Sequence, residues 1–293
     1  MTSQSPFQHY LRIVQHFVAT RGAEVLVLQA SPILGGLLGG LNLDGWSLIQ
    51  LGLLLLGSLA LTAHIFVFND WAGYGSDIRD PQRATLVFAR QGISRREVAR
   101  VAAALIIFAN VAFAMVGGPA ILFGVAITSL SVLYSCSTIF GKNAPIVGSI
   151  NHLLGGALHF LLGYTLVQTL DINGLTMSLF FGLVFAGGHL NQEVRDYEGD
   201  FLNGIRTTAV VFGRQRTFVA SLCTFTAAYA IVTILAALGI LPRLLLWSPI
   251  IWLLQIMCSL RALQRGLGFE TAQWLQLRYR LLFALIGLAM LAR

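Results

Sequence analysis

Charged residues are scarce in this chain of 293 amino acids. They make up 11% of the sequence, against about 25% in an average soluble protein, whereas hydrophobic residues make up 56%. The mean hydropathy is +0.77. No low-complexity stretch or block of charge divides the chain into parts. The composition therefore excludes an ordinary soluble protein and predicts a polytopic membrane protein with a single domain over residues 1–293.

Cysteine is also rare, and its arrangement does not indicate a metal site. The three cysteines, Cys136, Cys223 and Cys258, lie in apolar stretches without the spacing of metal ligands. We expect them to be small, buried hydrophobic side chains. They give no information about redox chemistry.

The first residues of the chain also lack a familiar targeting pattern. Residues 1–21 do not show the charged, apolar and cleavage regions that mark a secretory signal peptide. They are more polar than the segments that follow. We expect them to form an amphipathic lead-in helix on the membrane surface.

Long apolar runs dominate the rest of the sequence. Nine of them approach the ~20 residues that a membrane-spanning helix requires, and Gly, Pro and polar residues cluster at the breaks between them. The candidate spans are residues 22–41, 47–69, 97–116, 119–140, 146–168, 174–191, 216–240, 244–264 and 275–292. The sequence thus predicts an all-α, polytopic membrane bundle of nine transmembrane helices around a central cavity.

The distribution of basic residues gives an expected orientation. If the N-terminus is cytoplasmic, only Arg243 and Arg293 of the 19 Lys and Arg residues fall on the opposite side of the membrane. This is a strong positive-inside bias. It places the two long loops, after the second and the sixth span, on the cytoplasmic face.

Each of these two loops is preceded by a cluster of polar and acidic residues. At the end of the sixth span, Glu193, Asp196 and Asp200 are spaced so that a helix would place them on one face. At the end of the second span, Asn69 and Asp77 are separated by two steps of four residues. Carboxylates on one helix face repel each other unless a cation lies between them. The two clusters could therefore face each other and bind a cation.

The residue types of the clusters favour Mg²⁺. This ion prefers oxygen ligands and often completes its coordination with phosphate oxygens, and no His or Cys residue lies nearby at a spacing that would suggest zinc. Basic residues beside the clusters would bind the remaining oxygens of a phosphate. They are Arg79, Arg83, Lys142, Arg195 and Arg206. A simpler alternative is that the acidic residues are solvated loop residues paired with these arginines.

The segment around the cluster at the end of the sixth span resembles the UbiA-type intramembrane prenyltransferases. That family carries Asp-x-x-x-Asp followed by Gly, Lys or Arg, Thr and Gly, and residues 196–213 have the same pattern, beginning with Asp196 and Asp200. Tyr134 and Lys142 are similar to the family's Tyr and basic residue after the fourth helix. The resemblance covers about residues 60–215 and agrees with a count of nine helices.

The cluster at the end of the second span is similar to the family pattern Asn-Asp-x-x-Asp-x-x-x-Asp, with one difference. Asn69, Asp70 and Asp77 match, but Gly73 stands where the family has a metal-binding Asp. The resemblance then implies a metal ion held by Asn69 and Asp77. Either Asp70 or Asp80 supplies a further ligand, or the ion is bound more weakly.

The resemblance implies a Mg²⁺-dependent enzyme that ionises an isoprenyl diphosphate and transfers the prenyl group to an acceptor, commonly an aromatic ring. The implied catalytic residues are Asp70, Asp77, Asp196 and Asp200. The implied metal ligands are Asn69, Asp77, Asp196 and Asp200, with Glu193 and Asp70 as further candidates. The implied diphosphate and prenyl contacts are Arg79, Arg83, Tyr134, Lys142, Arg195 and Arg206. We expect an active site on the cytoplasmic face, a lipophilic or aromatic acceptor, and neither a nucleic acid nor an obligate protein partner.

Three other functions stay open at this point. A class I terpene cyclase would ionise the same diphosphate, and Gly73 slightly favours it. A transporter would use membrane carboxylates as an ion pathway, although the acids gather on one side only. A lipid-binding protein without catalysis is the third. His152 and His159, on one face of the fifth span, could line an acceptor pocket or form hydrogen bonds between helices.

Overall fold

The computed structural model describes residues 6–42, 44–80 and 83–292. Within these ranges the chain is helical and contains no β-strand. The α-helices are α1 (Pro6–Leu28), α2 (Ala30–Leu38), α3 (Gly45–Asp77), α4 (Arg95–Val116), α5 (Ala120–Cys136), α6 (Val147–Tyr164), α7 (Ile172–Leu202), α8 (Thr208–Phe212), α9 (Arg214–Ala237), α10 (Ser248–Gln264) and α11 (Phe269–Ala289). Two short 3₁₀ helices are Phe88–Gln91 and Arg243–Trp247.

The predicted all-α fold is confirmed, and each predicted span coincides with helix. Six helical segments in the described part of the chain are long and apolar enough to cross a membrane. They are Tyr10–Leu38, Gly45–Asp77, Arg95–Val116, Ile172–Leu202, Arg214–Ala237 and Arg243–Gln264, and the shorter helix α5 is also apolar. The count of nine transmembrane helices stays a prediction.

Two helices extend well beyond their predicted spans. The second and sixth spans were predicted to end at residues 69 and 191, but α3 runs to Asp77 and α7 to Leu202. At 1.5 Å per residue, these helices of 33 and 31 residues are each about 50 Å long. The acidic clusters therefore lie on rigid helix ends. Asp171 begins α7 because its carboxylate accepts a hydrogen bond from the N–H of Gly174 at 2.7 Å.

Small residues let the helices around the cavity approach closely. A Cβ atom at Gly35 of α2 would lie 2.8 Å from the backbone nitrogen of Tyr164 in α6. A Cβ at Gly187 of α7 would lie 2.6 Å from the ring of Phe225 in α9. Since side chains do not fit at these crossings, glycine is what allows α6, α7 and their neighbours to pack together.

The outside of the bundle is apolar. Leu122 and Leu238 are 71% and 68% exposed, and many other large hydrophobic side chains share this environment. In water such a surface would be unfavourable, whereas lipid tails solvate it. Cys136 and Cys223 are also exposed, so the expectation that they are buried is wrong for both. Sequence alone does not separate a lipid-facing side of an apolar helix from its buried side.

The lead-in segment does not form a separate helix. Residues 6–21 belong to α1, which continues without a break to Leu28, and residues 1–5 lie outside the described residues. Ile13 and Phe17 on this part of α1 are buried against the end of α3 and the segment that follows it. The beginning of α1 therefore supports the charged end of α3.

Candidate active site

A cavity of ≈ 400 Å³ lies between α1, α3, α5, α6, α7 and α11. One end is lined by charged residues of α3 and α7, and the rest is lined mainly by apolar side chains, which include Ile65, Phe66, Ile127, Val184 and Phe185. Ile65 precedes Asp77 by about 18 Å along α3. The cavity thus has a charged end and an apolar part that reaches deep between the helices.

Most of the predicted site residues meet at the charged end of this cavity. The residues that line it are Asn69, Asp77, Arg83, Tyr134, Lys142, Glu193, Arg195, Asp196 and Asp200. They come from α3, α5, α7 and the connections after α3 and α5. The two acidic helix ends therefore converge, as the sequence predicts.

Arg83 joins the two clusters. Its guanidinium donates a hydrogen bond to Asp196 of α7, and it lies 3.6 Å from the carboxylate of Asp77 and 3.8 Å from that of Asp80. Burial alone would lower the pKa of Arg83, but the carboxylates, above all Asp196, raise the pKa above its ordinary value. The guanidinium is therefore a permanent positive charge between the ends of α3 and α7.

Arg195 fixes the orientation of Asp196. Its Nε and Nη2 atoms donate to the two carboxylate oxygens of Asp196 at 2.7 and 2.9 Å. Its Nη1 atom donates to Gln276 of α11 at 2.9 Å. This bidentate geometry is the strongest arrangement of an arginine and a carboxylate. Asp196 is thus held by two guanidinium groups, and α11 helps to position it.

Gly73 lies beside Asp77 and Lys142. A Cβ atom at residue 73 would lie 3.1 Å from a carboxylate oxygen of Asp77 and 3.5 Å from the Nζ atom of Lys142. The backbone N–H of Lys142 donates to the carbonyl of Tyr134 at 3.0 Å, which keeps the lysine near the end of α5. The chain therefore places an ammonium group next to the position where the family pattern has a carboxylate.

Three predicted residues lie away from the cavity wall. Asp70 is turned towards α1, where its carboxylate accepts hydrogen bonds from Arg21. Arg79 and Arg206 are exposed. Arg206 follows Gly204, which adopts a left-handed φ of 66° and redirects the chain after α7.

Glu193 lines the cavity but is engaged elsewhere. One carboxylate oxygen accepts a hydrogen bond from the N–H of Ala209 at 3.2 Å, and the other lies 3.7 Å from Nδ1 of His189. Both contacts lie in the interior beside the charged end, and we do not include Glu193 among the metal ligands that we propose below.

Sequence reasoning overlooked two cavity residues of α11, Gln276 and Arg280. Arg280 lies 3.9 Å from Glu24 of α1, which also lines the cavity and which the sequence predicts to form an ion pair near Arg21. No motif identifies them, because their neighbours in the site are far away in sequence. The available signal is the presence of charged residues inside predicted membrane spans, which often marks a functional interior.

Two histidines of α6 line the cavity, and hydrogen bonds hold both. Nε2 of His159 lies 2.7 Å from the hydroxyl of Ser58, which links α6 to α3. Nδ1 of His152 lies 2.8 Å from the carbonyl of Gly148, so this nitrogen carries a proton and donates it. Both side chains face the cavity. The bond of His159 joins two helices, whereas that of His152 lies within α6, and an acceptor pocket stays a prediction.

Side-chain oxygens without partners lie at the charged end. The Oδ1 atoms of Asn69 and Asn203 are buried without a hydrogen-bond partner in the described part of the chain, and both residues line the cavity. Within the same ranges, no three His, Cys, Asp or Glu side chains converge closely enough to hold a metal ion. Any metal at this end would therefore need amide or substrate oxygens as well as carboxylates, and oxygen ligands suit Mg²⁺.

A helical membrane bundle with converging acidic helix ends above an apolar cavity defines the class of the intramembrane prenyltransferases. The sequence pattern of the UbiA prenyltransferase family matches residues 30–289. The chain belongs to this family, and it is a membrane-embedded prenyltransferase. The family assignment made from the sequence is confirmed.

Solved structures have the same fold. A UbiA homologue from Archaeoglobus fulgidus bound to GPP and Mg²⁺ shares 18% identity, with 96% of this chain and 99% of that chain covered and a TM-score of 0.71. A structure of digeranylgeranylglyceryl phosphate synthase shares 18% identity over 95% and 97% of the two chains, with a TM-score of 0.69. A UbiA homologue from Aeropyrum pernix K1 shares 18% identity over 90% and 96%, with a TM-score of 0.69.

At this identity the structures establish the fold alone. A comparison of the sequence with curated proteins gives no significant match.

Proposed function

We propose that this protein ionises an isoprenyl diphosphate with Mg²⁺ at the charged end of the cavity and transfers the prenyl group to a lipophilic or aromatic acceptor. One observation carries the proposal. Arg83 contacts both Asp77 and Asp196, so the acidic ends of α3 and α7 meet directly above an apolar cavity. A diphosphate bound there would have its hydrocarbon chain directed into the apolar part.

The residues at the charged end fit Mg²⁺. Asn69, Asp77, Asp196 and Asp200 would supply its ligands, with at most two of these carboxylates on any one ion, and the buried Oδ1 atom of Asn203 offers a further oxygen. Bound Mg²⁺ would neutralise the diphosphate and stabilise it as a leaving group. Asp200 forms no ion pair within the described ranges, which leaves its carboxylate available.

Three basic residues would bind the diphosphate oxygens. Arg83 and Arg195 present guanidinium groups that the neighbouring carboxylates hold in place, and Lys142 presents its ammonium group beside Asp77. Guanidinium groups bind phosphate oxygens with directed hydrogen bonds, while an ammonium group acts as a point charge. Together these residues would orient the diphosphate and keep the breaking carbon–oxygen bond at the top of the apolar part.

The apolar part would hold the prenyl chain and the cation that ionisation produces. Its apolar side chains would limit the access of water, which would otherwise capture the cation. Phe185, Tyr134 and Tyr279 line the cavity, and aromatic faces attract positive charge. We further propose that the charged end faces the cytoplasm, because nearly all of the basic residues fall on that side of the predicted topology.

The test is Mg²⁺-dependent release of diphosphate from labelled geranyl diphosphate by the purified protein in lipid nanodiscs. Release and prenyl transfer are measured with a phenol and with a glyceryl ether alcohol as acceptors. We expect Asp196→Asn and Asp200→Asn to abolish release. Glu198→Gln is the matched control, because Glu198 lies between these residues on α7 but is 59% exposed and pairs with Arg214.

Release at the wild-type rate by either aspartate variant would contradict the proposed site. Release without transfer, together with a cyclic hydrocarbon product, would instead support a terpene cyclase on the same fold.

A further inference from the structure

Hydrogen-bonding side chains run from the cavity wall into the interior beside the charged end. The hydroxyl of Tyr134 lies 3.2 Å from Nε2 of His189. On the other side of the imidazole ring, Nδ1 lies 3.2 Å from the hydroxyl of Ser149 and 3.7 Å from the carboxylate of Glu193. Tyr134, His189 and Glu193 all line the cavity. None of these contacts is explained by binding of the diphosphate.

The surroundings of His189 determine which ring nitrogen carries the proton. A carboxylate and a hydroxyl lie near Nδ1, so the proton is best held there, directed at Glu193 and Ser149. Nε2 then has a free lone pair, which accepts the hydrogen bond from Tyr134. A carboxylate behind an imidazole whose second nitrogen accepts a proton is the arrangement of a general base.

The imidazole ring is held firmly in this orientation. It stacks on the ring of His152, with 3.8 Å between ring centroids and 24° between planes. Glycine at position 148 leaves space for it, because a Cβ there would lie 2.9 Å from its Cε1 atom. Glu193 is in turn fixed by the N–H of Ala209 at the start of α8. Three helices therefore position this one ring.

The transfer reaction requires a base, and the argument here rests on the proposed function. The carbon–oxygen bond of the allylic diphosphate breaks, and its electron pair leaves with the diphosphate. A nucleophilic atom of the acceptor then bonds to the allylic carbon and must lose its proton. We assign Asp77, Asp196 and Asp200 to the metal, and Arg83 pairs with the first two, so none of the three serves as this base.

We propose that His189 accepts this proton at Nε2, through the hydroxyl of Tyr134, and that Glu193 positions the ring and balances the imidazolium charge. Tyr134 takes the proton from the acceptor while it passes its own proton to His189. The proposal also specifies the acceptor, which must present an O–H group, or a ring C–H group made acidic by attack, towards Tyr134. A phenol and an alcohol both meet this requirement.

The experiment separates ionisation from transfer. The donor is geranyl diphosphate with ¹⁸O in the bridging position, and the protein is studied in nanodiscs with Mg²⁺. When the allylic cation recombines with the diphosphate after ionisation, the label moves into non-bridging oxygens. This exchange does not require a base. Prenyl transfer to resorcinol and to a 1-alkylglycerol phosphate is measured in parallel. We expect His189→Gln to keep label exchange within about threefold of wild type and to lower transfer on the order of 100-fold.

A second variant and a control distinguish the loss of proton transfer from misfolding of the protein. Tyr134→Phe keeps the ring but removes the hydroxyl, so it should show the same separation of exchange and transfer. His64→Gln is the control, since His64 is a buried histidine of α3 outside the cavity wall and bonds the carbonyl of Ala102. It should keep both activities.

Equal loss of exchange and transfer in His189→Gln would show a structural role and overturn the proposal, as would transfer at the wild-type rate. Absence of label exchange in the wild-type protein would instead overturn the proposed function, and this inference with it. The two failures are therefore distinguishable.

Discussion

Replacing Arg83 by methionine should lower the free energy of unfolding and, at the same time, strengthen Mg²⁺ binding. The guanidinium is shared by Asp77, Asp80 and Asp196, and its removal leaves these carboxylates without their common cation. Breaking a fully buried pair costs about 3–5 kcal/mol. Because 32% of the Arg83 side chain is exposed, we expect a smaller loss in the free energy of unfolding, about 2 kcal/mol.

The effect on Mg²⁺ has the opposite sign. At the proposed site, a metal ion and the Arg83 guanidinium would compete for the same carboxylates. One positive charge ~4 Å from a divalent ion costs about 2 kcal/mol even at the dielectric constant of water. Removing that charge should therefore lower the dissociation constant of Mg²⁺ by up to about 30-fold.

The assay is thermal unfolding of the purified protein in detergent over a Mg²⁺ titration, since a ligand that binds the folded state raises the midpoint as its concentration exceeds its dissociation constant. Arg79→Met is the matched control, because Arg79 is exposed and lies on the same connection. Unchanged or weaker Mg²⁺ binding by Arg83→Met would refute the reasoning. The same change in the control would show that only the overall charge matters.

Three further predictions test other parts of the site. Gly148→Ala should displace the His189 ring and lower prenyl transfer about tenfold. Gly52→Ala, whose Cβ atom would lie in open space outside the cavity wall, should leave transfer unchanged, and equal effects of the two changes on transfer would contradict the geometry. Ser58→Ala should leave His159 without its partner and lower the free energy of unfolding by about 1–3 kcal/mol, measured by denaturation in detergent; no change would indicate that the bond adds no stability. Chelation of metal by EDTA should stop diphosphate release and lower the thermal midpoint, and added Mg²⁺ should restore both; release that persists in EDTA would argue against metal dependence.

The convergence of the acidic clusters was predictable because the relevant information is local. Asp196 and Asp200 are spaced for one helix face. The number of predicted spans between them and Asp77 is even, which predicts that they lie on the same side of the membrane as Asp77. The direction of Asp70 was not predictable in this way. It depends on Arg21, which is 49 residues away and on a different helix.

The hydrogen-bonded residues around His189 illustrate the same limit. His189 and Glu193 are four residues apart on α7, so their contact follows from the helix period. Tyr134 is 55 residues from His189, and the meeting of the two depends on how α5 and α6 pack against α7. The same holds for Arg206, which fits the family pattern but is carried to the surface by the turn at Gly204.

The length of α3 and α7 makes the site sensitive to the thickness of the lipid bilayer. Long helices adapt to a thinner or thicker hydrocarbon layer by tilting. A change in tilt of about 5° displaces the end of a helix about 50 Å long by about 4 Å. That distance is as large as the ion pairs that join the two ends. Lipids with shorter or longer acyl chains should therefore change how well the charged groups meet, so the surrounding lipid becomes a determinant of turnover.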